Sequence, residues 1–253
     1  MISVVMIEDA VIVTVRNSSS RLPNKAIMKI KDTLRAIDIV VERAKKTTLP
    51  VIITTSTASS DDVFTDIAKQ HNVQIFRGSL LNKIKRWYDC FNEFGIQNAL
   101  LLDGDDLAHN YDIGLRALLE LKSNQLDAIT CPEDIVTGFF TYAMKREGIS
   151  KLYAIASSDE TNTDVITRYV EKAKLHISYV TLKDYEHGKN IRLTLDYEED
   201  LAFFRKLYED IDILESGKNI IDYLNKHPSI SQINFHKQND FLKNQAKFNA
   251  SIK

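Results

Sequence analysis

The chain has 253 residues, of which 44% are hydrophobic and 27% are charged, and its formal net charge is −2. This is an ordinary globular composition, and the near-neutral charge predicts no general attraction to nucleic acid or to a membrane surface. The two cysteines, Cys90 and Cys131, exclude a disulfide framework and fit a reducing compartment. No apolar run is long enough to span a bilayer, and Glu8 and Asp9 interrupt the apolar N-terminus. We therefore expect no signal peptide and a cytoplasmic location.

The first half of the chain alternates short, apolar, β-branched runs with helical patterns. Strands are predicted over residues 11–15, 51–55, 73–76, 98–102 and 128–131. Helices are predicted from Thr33 or Asp32 to Lys46, after Asp61 and Asp62, and over residues 83–94 and 113–121. Such alternation is typical of a mostly parallel, doubly wound α/β sheet with helices on both faces.

The second half is less regular. Residues 132–190 show no clear periodicity, a further strand is predicted over 191–195, and helices are predicted over 198–208 and 219–226. The final stretch, 231–253, is rich in Asn, Lys and Gln, which predicts a loosely packed helix or a frayed tail. We therefore expect a single domain over residues 1–230, followed by this tail.

The loop after the first predicted strand has the clearest chemical signal. It places three cations and three hydroxyls within ten positions, namely Arg16, Arg21, Lys25, Ser18, Ser19 and Ser20. Open α/β sheets bind ligands at the carboxyl ends of their strands. Arginine forks and lysine point charges bind phosphate oxygens there. The pattern favours a polyphosphate site over a solvated surface loop, and it lacks the glycines of a P-loop or a dinucleotide fingerprint.

Two aspartates, Asp105 and Asp196, each follow the carboxyl end of a predicted strand. In a parallel sheet those ends meet at the same crevice, where two carboxylates suit a Mg²⁺ that also holds a triphosphate. The alternative is that Asp105 shapes a turn and Asp196 caps a helix. For Asp103 the binding and turn interpretations are evenly balanced, whereas Asp106, Glu199 and Asp200 are better explained as turn or capping residues.

Two further side chains lie near the same predicted edge. Arg77 follows the third strand and could contact a base or ribose, or form a salt bridge at the rim. His109 follows the acidic turn, but a lone loop histidine is usually only solvated, and we assign it no role. The chain shows no Ser-His-Asp or Cys-His arrangement and no zinc-ligand spacing.

Four segments together resemble the CMP-sugar cytidylyltransferases, which include the CMP-Kdo synthetase, CMP-sialate synthetase and spore-coat polysaccharide protein F types. The cationic loop reads RNSSSRLPNK over residues 16–25 and resembles the R-x-x-S-x-R-L-P-x-K signature. The strings VQIFRGS (73–79), Gly104-Asp105 and IRLTLDYEEDL (191–201) resemble later segments of the same family, in the same order. The resemblance covers nearly the whole chain.

This resemblance implies a three-layer α/β/α, nucleotide-diphosphosugar transferase-like (GT-A-like) fold. It implies a nucleotide held by Arg16, Ser19, Arg21 and Lys25 and a metal on Asp105 and Asp196. From their positions at strand ends, Arg77 and Asp103 are further candidates for binding the nucleotide. Lys25, Arg21 and Asp105 would act in catalysis, with CTP and an acidic small-molecule acceptor as substrates and Mg²⁺ as cofactor. A homodimer is also implied, with residues 132–190 contributing to the acceptor pocket and the interface.

Three positions depart from the family pattern. Asn24 stands where glycine is usual, and asparagine is among the residues that best tolerate a positive φ. Leu107 and Glu198 stand where prolines are common. None of these changes removes a charged group that the chemistry needs, so we expect an active branch with its own acceptor.

The expected reaction is attack of an acceptor oxygen on the α-phosphorus of CTP, with pyrophosphate as the leaving group. Such chemistry requires alignment and charge stabilisation more than covalent catalysis. Preference for CTP is implied by the resemblance alone. Two alternatives are a GT-A glycosyltransferase that consumes a nucleotide-sugar and a catalytically inactive nucleotide-binding paralogue.

Overall fold

A computed structural model of the chain describes residues 6–19, 21–188 and 190–251. In chain order the elements are β1 (Asp9–Thr14), β2 (Lys29–Lys31), β3 (Leu34–Arg35), α1 (Ala36–Lys45), β4 (Val51–Ser56), α2 (Val63–Gln70), β5 (Gln74–Gly78), α3 (Lys83–Glu93), β6 (Asn98–Asp103), α4 (Tyr111–Ser123), β7 (Ala128–Thr130), β8 (Tyr142–Lys145), α5 (Arg146–Ile155), α6 (Thr167–Lys172), β9 (Ile177–Tyr179), α7 (Glu198–Asp210), α8 (Gly217–Lys226), α9 (Pro228–Ser231) and α10 (Gln238–Ser251). Short 3₁₀ turns occupy several of the connections.

The main sheet has the strand order β5-β4-β1-β6-β8-β7-β9 among the described residues. Every neighbouring pair is parallel except the two pairs that involve β8, which runs in the opposite direction. From β1 the chain winds outward through β4 and β5, then returns to place β6 on the other side of β1. The carboxyl ends of β1 and β6 therefore flank a topological switch point, where open α/β sheets bind their ligands.

The two faces of the sheet are buried under separate helical layers. Val11 and Val13 of β1 belong to a core with α1, α2, α4, α7 and α8. Ala10 and Ile12 point to the opposite face, into a core built with α3, α5 and α6. Because successive side chains of a strand alternate between faces, the apolar run over residues 10–13 of β1 requires cover on both sides. The predicted three-layer, mostly parallel mixed sheet is confirmed.

The predicted strands of the first half are all present, with ends that differ by a few residues. The helix predicted to start at Thr33 or Asp32 begins instead at Ala36. Asp32 has a φ of 51° in the turn between β2 and β3, so it cannot start a helix. The cap comes from Asp38, whose Oδ2 accepts from the Arg35 amide at 2.7 Å.

The middle of the chain is more ordered than its sequence pattern suggested. Residues 132–190 contribute β8, β9, α5 and α6, so they extend the sheet. By contrast, the strand predicted over 191–195 is wrong. That segment makes only an isolated bridge between Arg192 and Thr137. Its apolar side chains Ile191, Leu193 and Leu195 are buried because the segment crosses the core. The apolar pattern therefore indicated burial, not pairing with a neighbouring strand.

The tail is a helix over most of its described length, since α10 runs to Ser251. Cys90 is fully buried and Cys131 half-buried, and neither forms a disulfide among the described residues. Within the described ranges, no helix has the length and apolar character needed to cross a membrane.

Candidate active site

The acidic turn after β6 packs directly against the end of β1. Thr14 pairs with Asp103 in the parallel ladder, and the Gly104 amide donates to the Thr14 carbonyl at 2.8 Å. A Cβ on residue 104 would lie 2.9 Å from Val15 Cβ, so the turn requires glycine to come this close. The turn thereby presents Asp105 toward the loop that leaves β1.

That loop is anchored at both ends. The Asn17 amide donates to Asp61 Oδ1 at 2.8 Å, and its side chain donates to the Ser60 carbonyl at 2.7 Å. Near the other end, Asn24 adopts a φ of 59°, which asparagine tolerates better than most residues. Asn24 therefore adopts a left-handed backbone conformation, for which the glycine of the family pattern is also suited. The buried Leu22 secures the segment between them.

Lys25 joins the two carboxylates that the sequence singled out. Its Nζ donates to Asp105 Oδ2 at 2.5 Å and to Asp196 Oδ1 at 2.9 Å. The Arg21 guanidinium pairs with the same Asp196 oxygen. The structure thus brings together Arg21, Lys25, Asp105 and Asp196, four of the predicted site residues.

The electrostatics of this group are strongly coupled. Burial alone would lower the pKa of Lys25, but Asp105 and Asp196 outweigh that effect and raise it. Asp196 has a lowered pKa because Lys25 and Arg21 more than offset its burial. Burial, aided by Asp196 and Asp103, raises the pKa of Asp105 despite the Lys25 ion pair. Asp196 therefore stays ionised to a lower pH than Asp105 does.

Asp196 reaches the site although its segment is not a strand. The Leu195 amide donates to the Asp105 carbonyl at 2.9 Å, and the Leu193 amide donates to the Thr137 carbonyl at 2.8 Å. These bonds hold the extended segment across the acidic turn. Gly138 makes this crossing possible, because a Cβ there would lie 2.2 Å from the Leu193 carbonyl oxygen.

Asp103 and Ser19, two further predicted nucleotide contacts, each have a partner of their own. Asp103 faces Lys83, whose Nζ is 3.5 Å from Asp103 Oδ1. Ser19 Oγ accepts from the Leu22 amide at 3.3 Å, which stabilises the loop. Ser20 lies outside the described residues.

Arg16 is held away from the Lys25 centre by an acidic loop. Its guanidinium pairs with Asp164 and also donates to the Leu80 carbonyl. The loop that carries Asp164 is fastened by Asn82, whose Nδ2 donates to the Ala156 and Ser158 carbonyls at 2.5 and 2.8 Å. The acidic stretch 157–164 therefore contacts the cationic loop through Asp164.

Arg77 and His109 take positions that differ from those of the central residues. The Arg77 guanidinium donates to the Ser56 and Ala58 carbonyls, both at 3.0 Å, and pairs with Asp62 at 2.6 Å. This is the rim salt bridge that was the alternative to nucleotide contact. His109 is buried, and burial with help from Arg43 lowers its pKa to about 3.

Two buried arginines at the site gave little signal in the sequence. Arg192 and Arg86 are fully buried, and Arg86 Nη1 donates to the Ser79 carbonyl at 2.6 Å. Asp200 is also buried, and its carboxylate caps the start of α7, in agreement with the capping role predicted for it. Among the described residues, Arg86 Nε and Nη2 have no hydrogen-bond partner. Burial and the nearby Arg16 lower the pKa of Arg86 to about 10. An arginine in an otherwise amphipathic helix pattern reads as a surface residue, so only its contacts reveal its position.

Comparison with known proteins decides the family. A family model described as cytidylyltransferase matches residues 10–220, which contain the cationic loop, the acidic turn and Asp196. The chain belongs to the cytidylyltransferase family. It is therefore a nucleotidyltransferase, a CTP-using enzyme by family, and the predicted family membership is confirmed.

Relatives of this cytidylyltransferase support the fold. An uncharacterised protein of Methanocaldococcus jannaschii is 24% identical over 227 residues, covering 88% of this chain and 93% of the relative. The solved structure of a cytidylyltransferase from Leptospira borgpetersenii serovar Hardjo-bovis superposes with a TM-score of 0.81 at 23% identity, covering 89% of this chain and 97% of the other. A CMP:2-keto-3-deoxy-manno-octonic acid synthetase complexed with CTP gives a TM-score of 0.62 at 14% identity, covering 80% and 99%.

The donor set of the cytidylyltransferase also fits the metal that was predicted for it. Asp105 and Asp196 already share a single cation, the Lys25 ammonium. Mg²⁺ in nucleotide sites typically takes one or two carboxylates and completes its shell with phosphate oxygens and water. Within the described ranges, no group of three or more His, Cys, Asp or Glu side chains is arranged to hold a metal alone.

Proposed function

We propose that this enzyme is a Mg²⁺-dependent cytidylyltransferase that transfers CMP from CTP to an acidic sugar, phosphosugar or phosphonate acceptor. Pyrophosphate is the second product, and the activated acceptor would serve surface-glycan precursor biosynthesis. The observation that carries the proposal is Lys25, whose ammonium bridges Asp105 and Asp196 at 2.5 and 2.9 Å beside Arg21. A cationic loop and two carboxylates converge there on a single point at the switch of the sheet.

Lys25 and Arg21 would exchange their carboxylate partners for phosphate oxygens when the triphosphate binds. Guanidinium and ammonium groups form strong charge-assisted hydrogen bonds with phosphate, and these bonds strengthen as charge develops on the leaving group. The exchange would leave Asp105 and Asp196 as anions facing the phosphates. Bound Mg²⁺ would be held by these two carboxylates and would neutralise charge on the phosphoryl oxygens.

The bond changes balance without a redox partner. The acceptor oxygen forms a bond to the α-phosphorus of CTP, and the bond from that phosphorus to the bridging oxygen breaks. Pyrophosphate leaves with the electron pair, and CMP remains on the acceptor. Protein groups contribute alignment and charge stabilisation, as in other phosphoryl transfers.

His109 is not suited to act as a general base in this reaction. This imidazole is close in sequence to the acidic turn, but it is buried, and its pKa is lowered to about 3. Its Nδ1 lies 3.2 Å from the Asp106 carbonyl. A neutral, enclosed ring of this kind is poorly placed to deprotonate an acceptor hydroxyl. An acceptor that carries its own oxyanion needs no such base.

Two structural relatives bear on the choice of nucleotide. The synthetase that was solved with CTP shares this fold, and the Leptospira structure carries the name of the same activity. The basic loop suits a triphosphate better than the diphosphate of a nucleotide-sugar, which argues against the glycosyltransferase alternative.

A pyrophosphate-release screen tests the proposal. The purified enzyme is incubated with each of the four ribonucleoside triphosphates, with and without Mg²⁺, against panels of acidic sugars, phosphosugars and phosphonates. We expect release only with CTP, Mg²⁺ and an acidic acceptor. Mg²⁺-dependent CTP binding without turnover against the whole panel would instead indicate an inactive nucleotide-binding paralogue. Release with a different nucleotide, or without metal, would contradict the proposal.

The expected homodimer remains part of the proposal. Residues 132–190 place β9 at the edge of the sheet, where Ile177 and Tyr179 are exposed. Unpaired strand edges with exposed apolar side chains favour pairing with another chain. Sedimentation velocity of the full chain would distinguish a dimer from a monomer.

A further inference from the structure

Asp196 is held from two sides by different cations. Its Oδ1 faces Lys25 and Arg21 in the site, whereas its Oδ2 accepts from Arg192 Nη2 at 3.0 Å on the interior side. Arg192 is fully buried. Lys25 and Arg21 belong to the loop that would turn to the triphosphate, so Arg192 is the cation that stays with Asp196 when substrate binds.

Asp200 fixes Arg192 in turn. The Arg192 Nε donates to Asp200 Oδ1 at 3.0 Å, and Nη2 donates to Asp200 Oδ2 at 3.1 Å. Asp200 Oδ2 also accepts from the Asp196 and Tyr197 amides at 2.8 and 3.0 Å. The start of α7, the carboxylate of Asp196 and the guanidinium of Arg192 therefore form a single hydrogen-bonded unit.

Arg192 is also held by residues from the C-terminal part of the chain. Gln238 Oε1 accepts from Arg192 Nη1 at 3.1 Å, and Gln238 Nε2 donates to Thr137 Oγ1 at 3.0 Å. The Phe241 ring lies 4.7 Å from the Arg192 guanidinium carbon. The buried Asn234 donates to Asp200 Oδ1 at 2.8 Å. These three residues lie beyond position 220, where the match to the family ends.

We propose that residues Asn234–Phe241 are a positioning element for the metal-facing carboxylate, with Gln238 as its central residue. This inference rests on the proposed function, because it assigns to Asp196 a role in holding Mg²⁺ with CTP. Among the described residues, the Gln238 side chain hydrogen-bonds to Arg192 and Thr137, and to neither Asp196 nor the cationic loop. It acts through Arg192, by directing that guanidinium toward Asp196 Oδ2 so that Oδ1 is left to face the cation.

The physical reason lies in the freedom that Arg192 would otherwise have. A guanidinium that loses a hydrogen-bond partner on Nη1 is less well oriented, and the carboxylate that it holds becomes less well oriented with it. Metal affinity is sensitive to such outer contacts because they fix the direction of the ligand oxygens. The three planar groups Gln238, Arg192 and Asp196 form a chain in which each orients the next.

The coupling between Mg²⁺ and CTP tests this assignment without measuring turnover. The CTP dissociation constant is determined by calorimetry with saturating Mg²⁺ and again with a chelator, and the ratio is the gain due to metal. In Gln238→Met we expect this gain to fall about tenfold. The affinity for CTP in chelator should match the wild type, because Lys25 and Arg21 are untouched. Gln245→Met is the matched control, since Gln245 lies on the same helix, α10, and its side chain makes no hydrogen bond within the described ranges.

A conservative variant separates orientation from general damage. Gln238→Glu keeps an oxygen for Arg192 Nη1, and the Thr137 hydroxyl can donate to it, so the gain should return to within about threefold of wild type. Thr137→Val removes only the far anchor of Gln238 and is a milder substitution should Gln238→Met fail to fold. In Thr137→Val the gain in CTP affinity due to metal should fall about threefold.

The possible outcomes have distinct meanings. A wild type with no gain from Mg²⁺ contradicts the proposed function and this inference with it. A wild-type gain that Gln238→Met and Thr137→Val both retain overturns the positioning role alone. Equal losses of CTP affinity with metal and with chelator also overturn it, because they indicate general structural damage.

Discussion

The ammonium of Lys25 lies 2.5 Å from the carboxylate of Asp105, although 80 residues separate the two in the chain. The contact exists because Lys25 follows β1 and Asp105 follows β6, and these parallel strands are neighbours that end at the same edge. Without substrate, the cations and carboxylates of the site neutralise one another. A triphosphate with Mg²⁺ brings both charge signs, so it can replace these ion pairs without leaving a buried charge uncompensated.

The first prediction concerns Lys25. Lys25→Met should lower the rate of CTP-dependent pyrophosphate release by at least about a thousandfold, because it removes a buried cation from the position of the developing phosphate charge. The matched control is Lys29→Met, an exposed lysine of β2, which should keep the wild-type rate. Comparable rates for the two variants would show that Lys25 has no role in the chemistry.

The second prediction concerns Asp196. Asp196→Asn preserves the shape of the side chain but removes the charge, so turnover at saturating CTP should fall about a hundred- to a thousandfold. The Mg²⁺ concentration for half-maximal rate should rise, because a carboxamide is a weaker ligand for this metal than a carboxylate. Asp210→Asn, an exposed aspartate of α7 that pairs with Lys206, is the control. An unchanged Mg²⁺ dependence in Asp196→Asn would remove this residue from the metal site.

The sequence predicted that Lys25 and Asp105 would lie close together, because the geometry of a parallel sheet is simple. Polar side chains that follow parallel strands meet at the carboxyl edge, which is sufficient to bring Lys25 near Asp105. Asp196 was also correctly predicted to lie beside these residues, although it was expected at the end of a strand. Its segment crosses the acidic turn through the Leu195 amide rather than as a strand. Burial makes a crossing segment as apolar as a strand, and periodicity cannot distinguish the two.

The supporting residues could not be predicted in this way. Arg16 meets Asp164 across 148 positions, and Arg192 meets Gln238 across 46. Neither contact is set by strand order or helix periodicity. They depend on how a loop and a terminal helix fold back over the site. For Arg77 the position at a strand end was predicted, but of the two interpretations left open the side chain makes the rim contacts, with Ser56 and Asp62.

The third prediction concerns the ion pair between Arg16 and Asp164. A triphosphate that uses Arg16 must displace Asp164, which is half-exposed. An ion pair of this exposure contributes about 0.2–1 kcal/mol, so Asp164→Asn should tighten CTP binding about 1.4- to fivefold. Glu160→Gln removes a charge from the same loop and is the control, since Glu160 has no ion pair within the described ranges. Calorimetry that finds equal or weaker binding in Asp164→Asn would mean that Asp164 does not compete with the nucleotide.

The last prediction concerns pH and stability, away from the site. His71 places Nε2 at 2.8 Å from Asp38 and Nδ1 at 2.7 Å from Glu42, so both ring nitrogens face carboxylates. The hydrogen bond with Asp38 is the main cause that raises the pKa of His71 above its ordinary value of 6.5. A neutral imidazole has one N–H, so both contacts can be hydrogen bonds at the same time only when the ring is protonated. The stabilisation is therefore complete below 6.5 and is lost as the pH rises through the folded-state pKa.

Urea unfolding at about pH 5.5 and about pH 8.5 measures this effect, and His71 should contribute about 1–2 kcal/mol more at the lower pH. His71→Gln should lose that difference, because the amide stays neutral at both values. His187→Gln is the control, because it removes an exposed histidine that pairs with Asp134 and should leave the difference intact. If His71→Gln shows the same difference in unfolding free energy between the two pH values as the wild type, His71 makes no such contribution.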